Sequence, residues 1–310
     1  MRKIFILFGG VLVVVGIGVT FLLCGSSIGG SSRPKNSTSA LFLPALLREV
    51  PSFECDSLVG NLANKIEAGM GLDIVRGEIF WEKESDKPCR IASLTKLMVV
   101  LIAMDEVSDG EIKVSDIITG TKEASQMGGS QIYLKEGEKF ALQELLKSMM
   151  IVSANDAAYS VAQYIGGTAA EFVKKMNNTA AKMGLEHTYF SNPTGLPPNE
   201  GEWPNVSTCV DMAQIALQVI KYPKVMEWAG TDVDYIRDGE FKLHNWNSLI
   251  RKCDFVDGLK TGFYREAGYN IVATSINGDK KIIAIVFGAK TPKIRDQVAK
   301  CLIEYKLHGS

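Results

Sequence analysis

The sequence predicts a mixed α/β fold of the α+β kind: a largely antiparallel sheet with strands from both ends of the chain, flanked by helices, plus a helical lobe. Three observations predict it. Leu72-Asp73-Ile74-Val75 and Glu78-Ile79-Phe80-Trp81 flank Arg76-Gly77, which reads as two short strands around a tight turn. Near the other end, Tyr269 to Thr274 and Lys281 to Phe287 are apolar runs on either side of Asn277-Gly278, a strong hairpin signal. Between these pairs the apolar residues recur at helical spacing.

The elements follow in order. Ser93 opens the stretch Leu94-Thr95-Lys96-Leu97-Met98-Val99-Val100-Leu101-Ile102-Ala103-Met104. It is too long for a strand and apolar nearly all round, so a buried central helix is expected. Lys96 is the anomaly, because an ammonium inside such a helix is costly unless it is paired, neutral or opens into a cleft. Helical periodicity continues over Phe140 to Met150, Asp156 to Tyr164, Ala169 to Met183 and Asp211 to Ile220. A helical lobe over about residues 97–230 follows from these segments. An amphipathic helix from Ile294 to Tyr305 closes the chain, and no internal repeat is visible.

The 310 residues are 46% hydrophobic and 22% charged, which excludes wholesale disorder. A net charge of -1 supplies no basic field for nucleic acid. The six cysteines include no C-x-x-C pair and have no nearby histidine, so no metal site and no cofactor are expected. One or two disulfides or buried free thiols both remain open.

Arg2 and Lys3 precede an apolar run from Ile4 to Leu23, the pattern of an export signal with its basic end cytoplasmic. The run is long enough to span a bilayer, which favours an uncleaved membrane anchor over a cleaved peptide. Leu23 is bulky where a lipoprotein signal wants a small residue, which argues against lipidation of Cys24. Residues 1–24 are thus the leader or anchor, 25–50 a Gly/Ser-rich spacer, and 51–310 the folded domain.

Three short motifs carry chemistry. In Ser93-Leu94-Thr95-Lys96 the i and i+3 side chains share a helix face, so the hydroxyl and the amine come within reach. A serine hydroxyl becomes a good nucleophile when a base takes its proton, and a lysine can be that base only if its pKa is pulled down. Taken alone, the pattern reads at least as well as a capping serine followed by a snorkelling lysine. Ser153-Ala154-Asn155 offers a proton-relaying hydroxyl and an amide, or simply a helix cap leading into Asp156. Lys260-Thr261-Gly262, placed just before the last strand pair, offers a lysine on a strand edge as a cation for a carboxylate, a hydroxyl donor and a close backbone approach, or simply a turn. In this order and spacing the three are the constellation of serine β-lactamases and penicillin-binding proteins.

The resemblance extends further. Ala92-Ser93-Leu94-Thr95-Lys96, Met127-Gly128-Gly129-Ser130, Ser153-Ala154-Asn155-Asp156-Ala157-Ala158, Asn192-Pro193-Thr194-Gly195-Leu196, Asp211-Met212-Ala213, and Lys260-Thr261-Gly262 followed by Ala267-Gly268-Tyr269-Asn270 all resemble the low-molecular-mass penicillin-binding proteins, the D-alanyl-D-alanine carboxypeptidases. It runs from about Gly71 to Leu307, and it implies a fold of the β-lactamase and penicillin-binding-protein kind. It implies that Ser93 is acylated with Lys96 as base, that Ser153 passes a proton to the leaving amine, and that Asn155 positions the acyl amide. Lys260 and Thr261 are then expected to bind the substrate carboxylate, with Gly262 beside them and the backbone N–H groups of Ser93 and Phe263 as the oxyanion hole. The implied partners are peptidoglycan stem peptides ending in D-Ala-D-Ala, and β-lactams as covalent inhibitors. The implied place is outside the cytoplasmic membrane, tethered by the N-terminus.

Two departures stand out. Tyr264, with Arg265 beside it, occupies a position that is usually Thr in these carboxypeptidases, which alters the cleft rim. The chain also ends just after its last helix, so the second, all-β domain and C-terminal amphipathic helix of many relatives are not expected. D,D-endopeptidase activity is a close variant of the expected reaction. A class A-like β-lactamase is disfavoured because Glu186, Glu200 and Glu202 are not followed by the Leu-Asn such enzymes carry. A non-catalytic module that binds penicillin or senses the wall is disfavoured by the intact motifs. With three histidines and no G-x-S-x-G, a Ser-His-Asp scheme has no support. Trp246, between Asn245 and Asn247, reads as a core aromatic near a strand, with a place in a cleft as the other reading.

Overall fold

The strands of the main sheet are not arranged in chain order. In the computed structural model, which describes residues 47–48, 59–276 and 279–308, they are β1 (Leu47–Arg48), β2 (Ala68–Asp73), β3 (Glu78–Lys83), β4 (Gly258–Tyr264), β5 (Gly268–Ser275) and β6 (Ile282–Ala289). The spatial order is β1-β3-β2-β6-β5-β4. All neighbours are antiparallel except the short β1, which runs parallel to β3. The first hairpin and the last three strands therefore share one sheet, joined where β2 meets β6, as the strand signals at the two ends of the chain predict. The leader, the spacer apart from Leu47–Arg48, Cys24, Cys55 and the Asn277-Gly278 turn lie outside the described residues, and those two residues are strand β1 instead of spacer. No helix among the described residues is long and apolar enough to cross a membrane.

The strand sequences are explained by cover on both faces. In β6, Ile283, Ile285 and Phe287 join the core under the helical part, while Ile282, Ala284 and Val286 join a second core on the opposite face. A strand covered on both sides has no polar face, hence an unbroken apolar run instead of alternation. The second core is closed by Val298, Ala299, Leu302 and Ile303, one stripe of the last helix (Pro292–His308). That helix is also tied to the first hairpin: Lys306 Nζ lies 3.3 Å from Asp73 and 3.6 Å from Glu78.

On the other face lie α1 (Lys96–Asp109), α2 (Leu142–Ile151), α3 (Asn155–Gly166), α4 (Ala169–Lys182) and α5 (Cys209–Val219), with the last helix numbered α6. Leu97 through Met104 are all buried, so α1 is the central helix its composition predicts. The four free cysteines among the described residues include three, Cys89, Cys209 and Cys253, that are buried. Burial pushes the Cys89 thiol up to about 11 and Cys209 well above its ordinary value, so both behave as inert core groups.

One buried carboxylate organises the approach to α3. Asp156 accepts hydrogen bonds from the backbone N–H groups of Ile132, Leu134 and Ala157 at 3.1, 3.0 and 2.9 Å. It thereby moors the loop around residue 130 on the helix N-terminus. Replacement by Ala would leave those buried donors unpaired, at about 3 kcal/mol. Thermal melting of Asp156→Ala is accordingly expected to show a fall in Tm of about 8 °C.

Candidate active site

Ser93 sits in a tight 3-10 turn, Ala92–Thr95, which feeds directly into α1. The turn is strained at Ala92, where φ is +47°, and it is held by the Thr95 hydroxyl, which donates to the Ala92 carbonyl at 2.7 Å. Three residues on, Lys96 is completely buried. Its Nζ lies 3.1 Å from Ser93 Oγ, 2.6 Å from Asn155 Oδ1 and 2.6 Å from the Thr194 carbonyl oxygen. Burial, and then the positive charge of Lys260, push the Lys96 pKa well below its ordinary value, against a smaller opposing pull from Asp156. A neutral amine has two N–H donors and one lone pair. Asn155 and Thr194 can only accept, so they take the two donors, and the lone pair is left for the Ser93 hydroxyl.

Each partner of Lys96 is fixed by its own contacts. Asn155 Nδ2 donates to the Gly128 carbonyl at 2.7 Å, which orients the amide with its oxygen towards Lys96. Thr194 belongs to the loop Asn192-Pro193-Thr194-Gly195, in which Asn192 Oδ1 accepts from Thr194 N, Thr194 Oγ1 and Gly195 N at 3.2, 2.9 and 2.7 Å. Asn205 then ties that loop to the serine turn. Its Oδ1 accepts from Ser191 N and Asn192 N, and its Nδ2 donates to Thr95 Oγ1 and to the Asn192 carbonyl, both at 2.8 Å. Gly195 has φ +77°, and a Cβ there would stand 2.0 Å from the Ala92 carbonyl oxygen, so no side chain fits.

Ser153 also has a left-handed backbone, with φ +61°. Its hydroxyl is buried and finds no partner among the described residues. A strained residue with an orphaned polar atom is an unusual combination away from a functional site.

Lys260-Thr261-Gly262 precedes the last strand pair on a strand edge, as expected, and is not a turn. It lies on β4, the sheet's edge strand, where Lys260, Thr261 and Gly262 register with Val272, Ile271 and Asn270. Asn270 fastens this edge to the chain ahead of the serine turn by donating to the Arg90 carbonyl at 3.0 Å. A Cβ on Gly262 would stand 2.8 Å from the Ile91 carbonyl oxygen and 3.0 Å from the Ser93 nitrogen, so the edge strand passes directly against the turn that carries Ser93. Phe263 follows, its ring half exposed and stacked on Tyr269 at 4.1 Å between centroids. Lys260 is buried, its Nζ donates to the Thr261 carbonyl at 3.1 Å, and burial with the nearby Arg295 charge lowers its pKa to about 7.

All eight residues singled out from the sequence thus lie on the turn, the α2–α3 junction and the edge strand that meet here. Sequence reasoning missed four contributors. Thr194 acts through a backbone carbonyl, Asn205 by hydrogen bonds that tie the Asn192 loop to the serine turn, and Thr95 by bracing that turn; only the Asn-Pro-Thr-Gly signature hints at the first. Arg295 reads as one basic residue of an amphipathic helix. Trp246 departs from the core reading: it is 60% exposed, with its Nε1 donating to the Val152 carbonyl at 2.9 Å.

The two lysines are costly to the fold. Lys260 has a folded pKa of about 7 against an ordinary 10.5, so its burial is destabilising below 10.5, fully so below 7. Lys260→Met is therefore expected to gain stability on the order of a few kcal/mol at pH 6, and the gain should shrink as the pH rises from 7 towards 10.5. Denaturant titrations at several pH values check this.

Residues 62–291 match the family described as D-alanyl-D-alanine carboxypeptidase. The D-alanyl-D-alanine carboxypeptidase DacF of Bacillus subtilis is 41% identical over 246 residues, 78% of this chain and 62% of that protein. DacC of Escherichia coli, also a D-alanyl-D-alanine carboxypeptidase, is 32% identical over 241 residues, 76% of this chain and 59% of its own length. The chain thus spans less than two thirds of these curated relatives. Among solved structures, penicillin-binding protein D2 from Listeria monocytogenes in its ampicillin-bound form superposes with a TM-score of 0.71 at 30% identity, covering 78% of this chain and 97% of that one. Penicillin binding protein 6B from Escherichia coli gives a TM-score of 0.73 at 28% identity, covering 79% and 77%. With the serine turn, the orphaned Ser153 and the Lys260 edge strand gathered at one place, and this match over most of its folded part, the chain belongs to the D-alanyl-D-alanine carboxypeptidase family.

Proposed function

We propose that this protein is a serine-type D,D-carboxypeptidase that removes the terminal D-Ala of peptidoglycan stem peptides through an acyl-enzyme at Ser93. The observation that carries the reading is the Lys96 amine, completely buried, pushed down in pKa by burial and by Lys260, and 3.1 Å from Ser93 Oγ. Lys96 takes the proton as Ser93 Oγ bonds to the carbonyl carbon of the penultimate D-Ala. The oxyanion is received by the backbone N–H groups of Ser93 and Phe263, donors of a kind worth about 3 kcal/mol. As the C–N bond breaks, Ser153 hands its proton to the departing amine and takes in its place the proton that Lys96 received from Ser93, which returns Lys96 to its neutral form. The Ser153 hydroxyl, which has no partner among the described residues, is free for that relay. Asn155 positions the acyl amide, while Lys260 and Thr261 hold the carboxylate, with Gly262 letting the substrate backbone approach. Water then hydrolyses the ester and Lys96 serves again as base.

A β-lactam would acylate the same serine and stay attached, in keeping with the ampicillin-bound relative. The basic-then-apolar start of the sequence places the domain outside the cytoplasmic membrane, held to it by the N-terminus.

Released D-Ala from a pentapeptide ending in D-Ala-D-Ala tests the reaction. The wild type is expected to release it and to take up labelled penicillin covalently, and Ser93→Ala to do neither. Penicillin still bound covalently to Ser93→Ala would sink the mechanism. The pH profile gives a separate check. Lys260 is cationic below about 7 and loses its charge above, so affinity for the carboxylate should fall as the pH rises through that value. The alkaline limb is expected in kcat/KM near 7 and displaced upward in kcat, because a bound carboxylate holds the proton on Lys260.

A further inference from the structure

Trp246 is an exposed indole that is not loose. It stands between two buried asparagines. Asn245 Nδ2 donates to the Ala229 and Thr231 carbonyls at 3.0 and 2.8 Å, and Asn247 Nδ2 donates to the Gly258 carbonyl at 3.2 Å. Trp246 itself donates from its backbone N–H to the Ile151 carbonyl at 3.2 Å and from Nε1 to the Val152 carbonyl at 2.9 Å. Its only polar side-chain atom is therefore satisfied by the protein, and the 60% of the residue left open presents an apolar ring. A ring already held in one orientation loses little further entropy when something stacks on it.

Its two anchors locate it. Val152 immediately precedes Ser153, and Gly258 opens β4 two residues ahead of Lys260, about 7 Å along the strand. In the reaction proposed above, on which this step rests, Ser153 serves the departing amine and Lys260 takes the terminal carboxylate. One part of the substrate lies between those two groups: the departing D-residue, whose side chain is all that distinguishes one such residue from another. Phe263, also exposed, stands towards the far end of β4, away from this position. We propose that Trp246 is a specificity-determining residue, forming an apolar wall for the side chain of the departing D-residue, so that larger apolar D-residues are accepted there beside D-Ala.

The test compares two peptides that differ only in the last residue, one ending in D-Ala-D-Ala and one in D-Ala-D-Phe. kcat/KM is measured for the wild type, Trp246→Ala and Trp246→Phe. Trp246→Ala should lower kcat/KM for the D-Phe peptide about fivefold relative to the D-Ala peptide, the effect of one lost aromatic contact. Trp246→Phe keeps a ring but loses the bond to Val152, and should keep most of the wild-type ratio. An equal fall on both peptides, in either variant, would mean that Trp246 merely holds the turn before Ser153, and would overturn the proposal; so would an unchanged ratio. Trp246→Thr repeats the truncation should Trp246→Ala fail to fold, with covalent penicillin labelling reporting an intact site. A wild type that released no D-residue from either peptide would instead refute the carboxypeptidase reading itself.

Discussion

The site depends on keeping one amine dry. Lys96 opens the central helix, whose residues Leu97 to Met104 are all buried, so that an ammonium would have to be desolvated beside a second buried lysine. The protein answers with two oxygen acceptors at 2.6 Å and the serine hydroxyl at 3.1 Å, which suit a neutral amine and leave it a lone pair. Much of the surrounding architecture serves those distances. Asn155 needs its amide turned by Gly128, Thr194 needs its loop folded by Asn192 and Asn205, and the turn needs Thr95. The helix apolar enough to depress a lysine is also the helix that fills the core, so stability and reactivity rest on the same burial.

The sheet order matters for the same reason. Joining the two ends of the chain through β2 and β6 leaves β4 at the edge, with its far side not paired to another strand of the sheet. Gly262 then lets that edge lie against the backbone of Ile91 and Ser93 without a side chain between them. An edge strand with free backbone groups is ordinarily a liability. Here it borders the cleft, and it brings Lys260 near enough to Lys96 for the Lys260 charge to lower the Lys96 pKa. Arg295 acts on Lys260 from α6, so the helix that closes the second core also contributes to the electrostatics of the site.

Much of this was legible from residue types. Periodicity located the central helix, the helical segments and both strand pairs, because a buried helix and a doubly covered strand leave strong apolar signatures. Most helix ends shifted by one to three residues, where caps and frayed turns decide them, but the central helix runs on to Asp109 and strand β2 runs Ala68–Asp73, four residues earlier at its start than expected. Lys260-Thr261-Gly262 allows a turn locally because of its glycine; pairing with β5 makes it the strand edge that a carboxylate-binding lysine needs. Trp246 was misplaced towards the core because its neighbours are strand-like, whereas its exposure is set by two asparagines whose hydrogen bonds reach Ala229, Thr231 and Gly258.

By itself the sequence determined the fold class, the central helix and the identity of the motif residues Ser93, Lys96, Ser153, Asn155 and Lys260. These follow from local patterns: the spacing of apolar residues along one segment, and functional side chains a few positions apart. Tertiary structure alone decided that Thr194 presents a carbonyl to Lys96, that Ser153 holds an unpaired hydroxyl, that Arg295 lowers Lys260, and that Trp246 stands open beside them. Such features arise from contacts between residues nearly a hundred positions apart, as with Lys96 and Thr194, or from a backbone group that every residue carries. The opening pair, Ser93 and Lys96, could be named from spacing, but whether that lysine is a base rests on burial, and burial belongs to the folded chain.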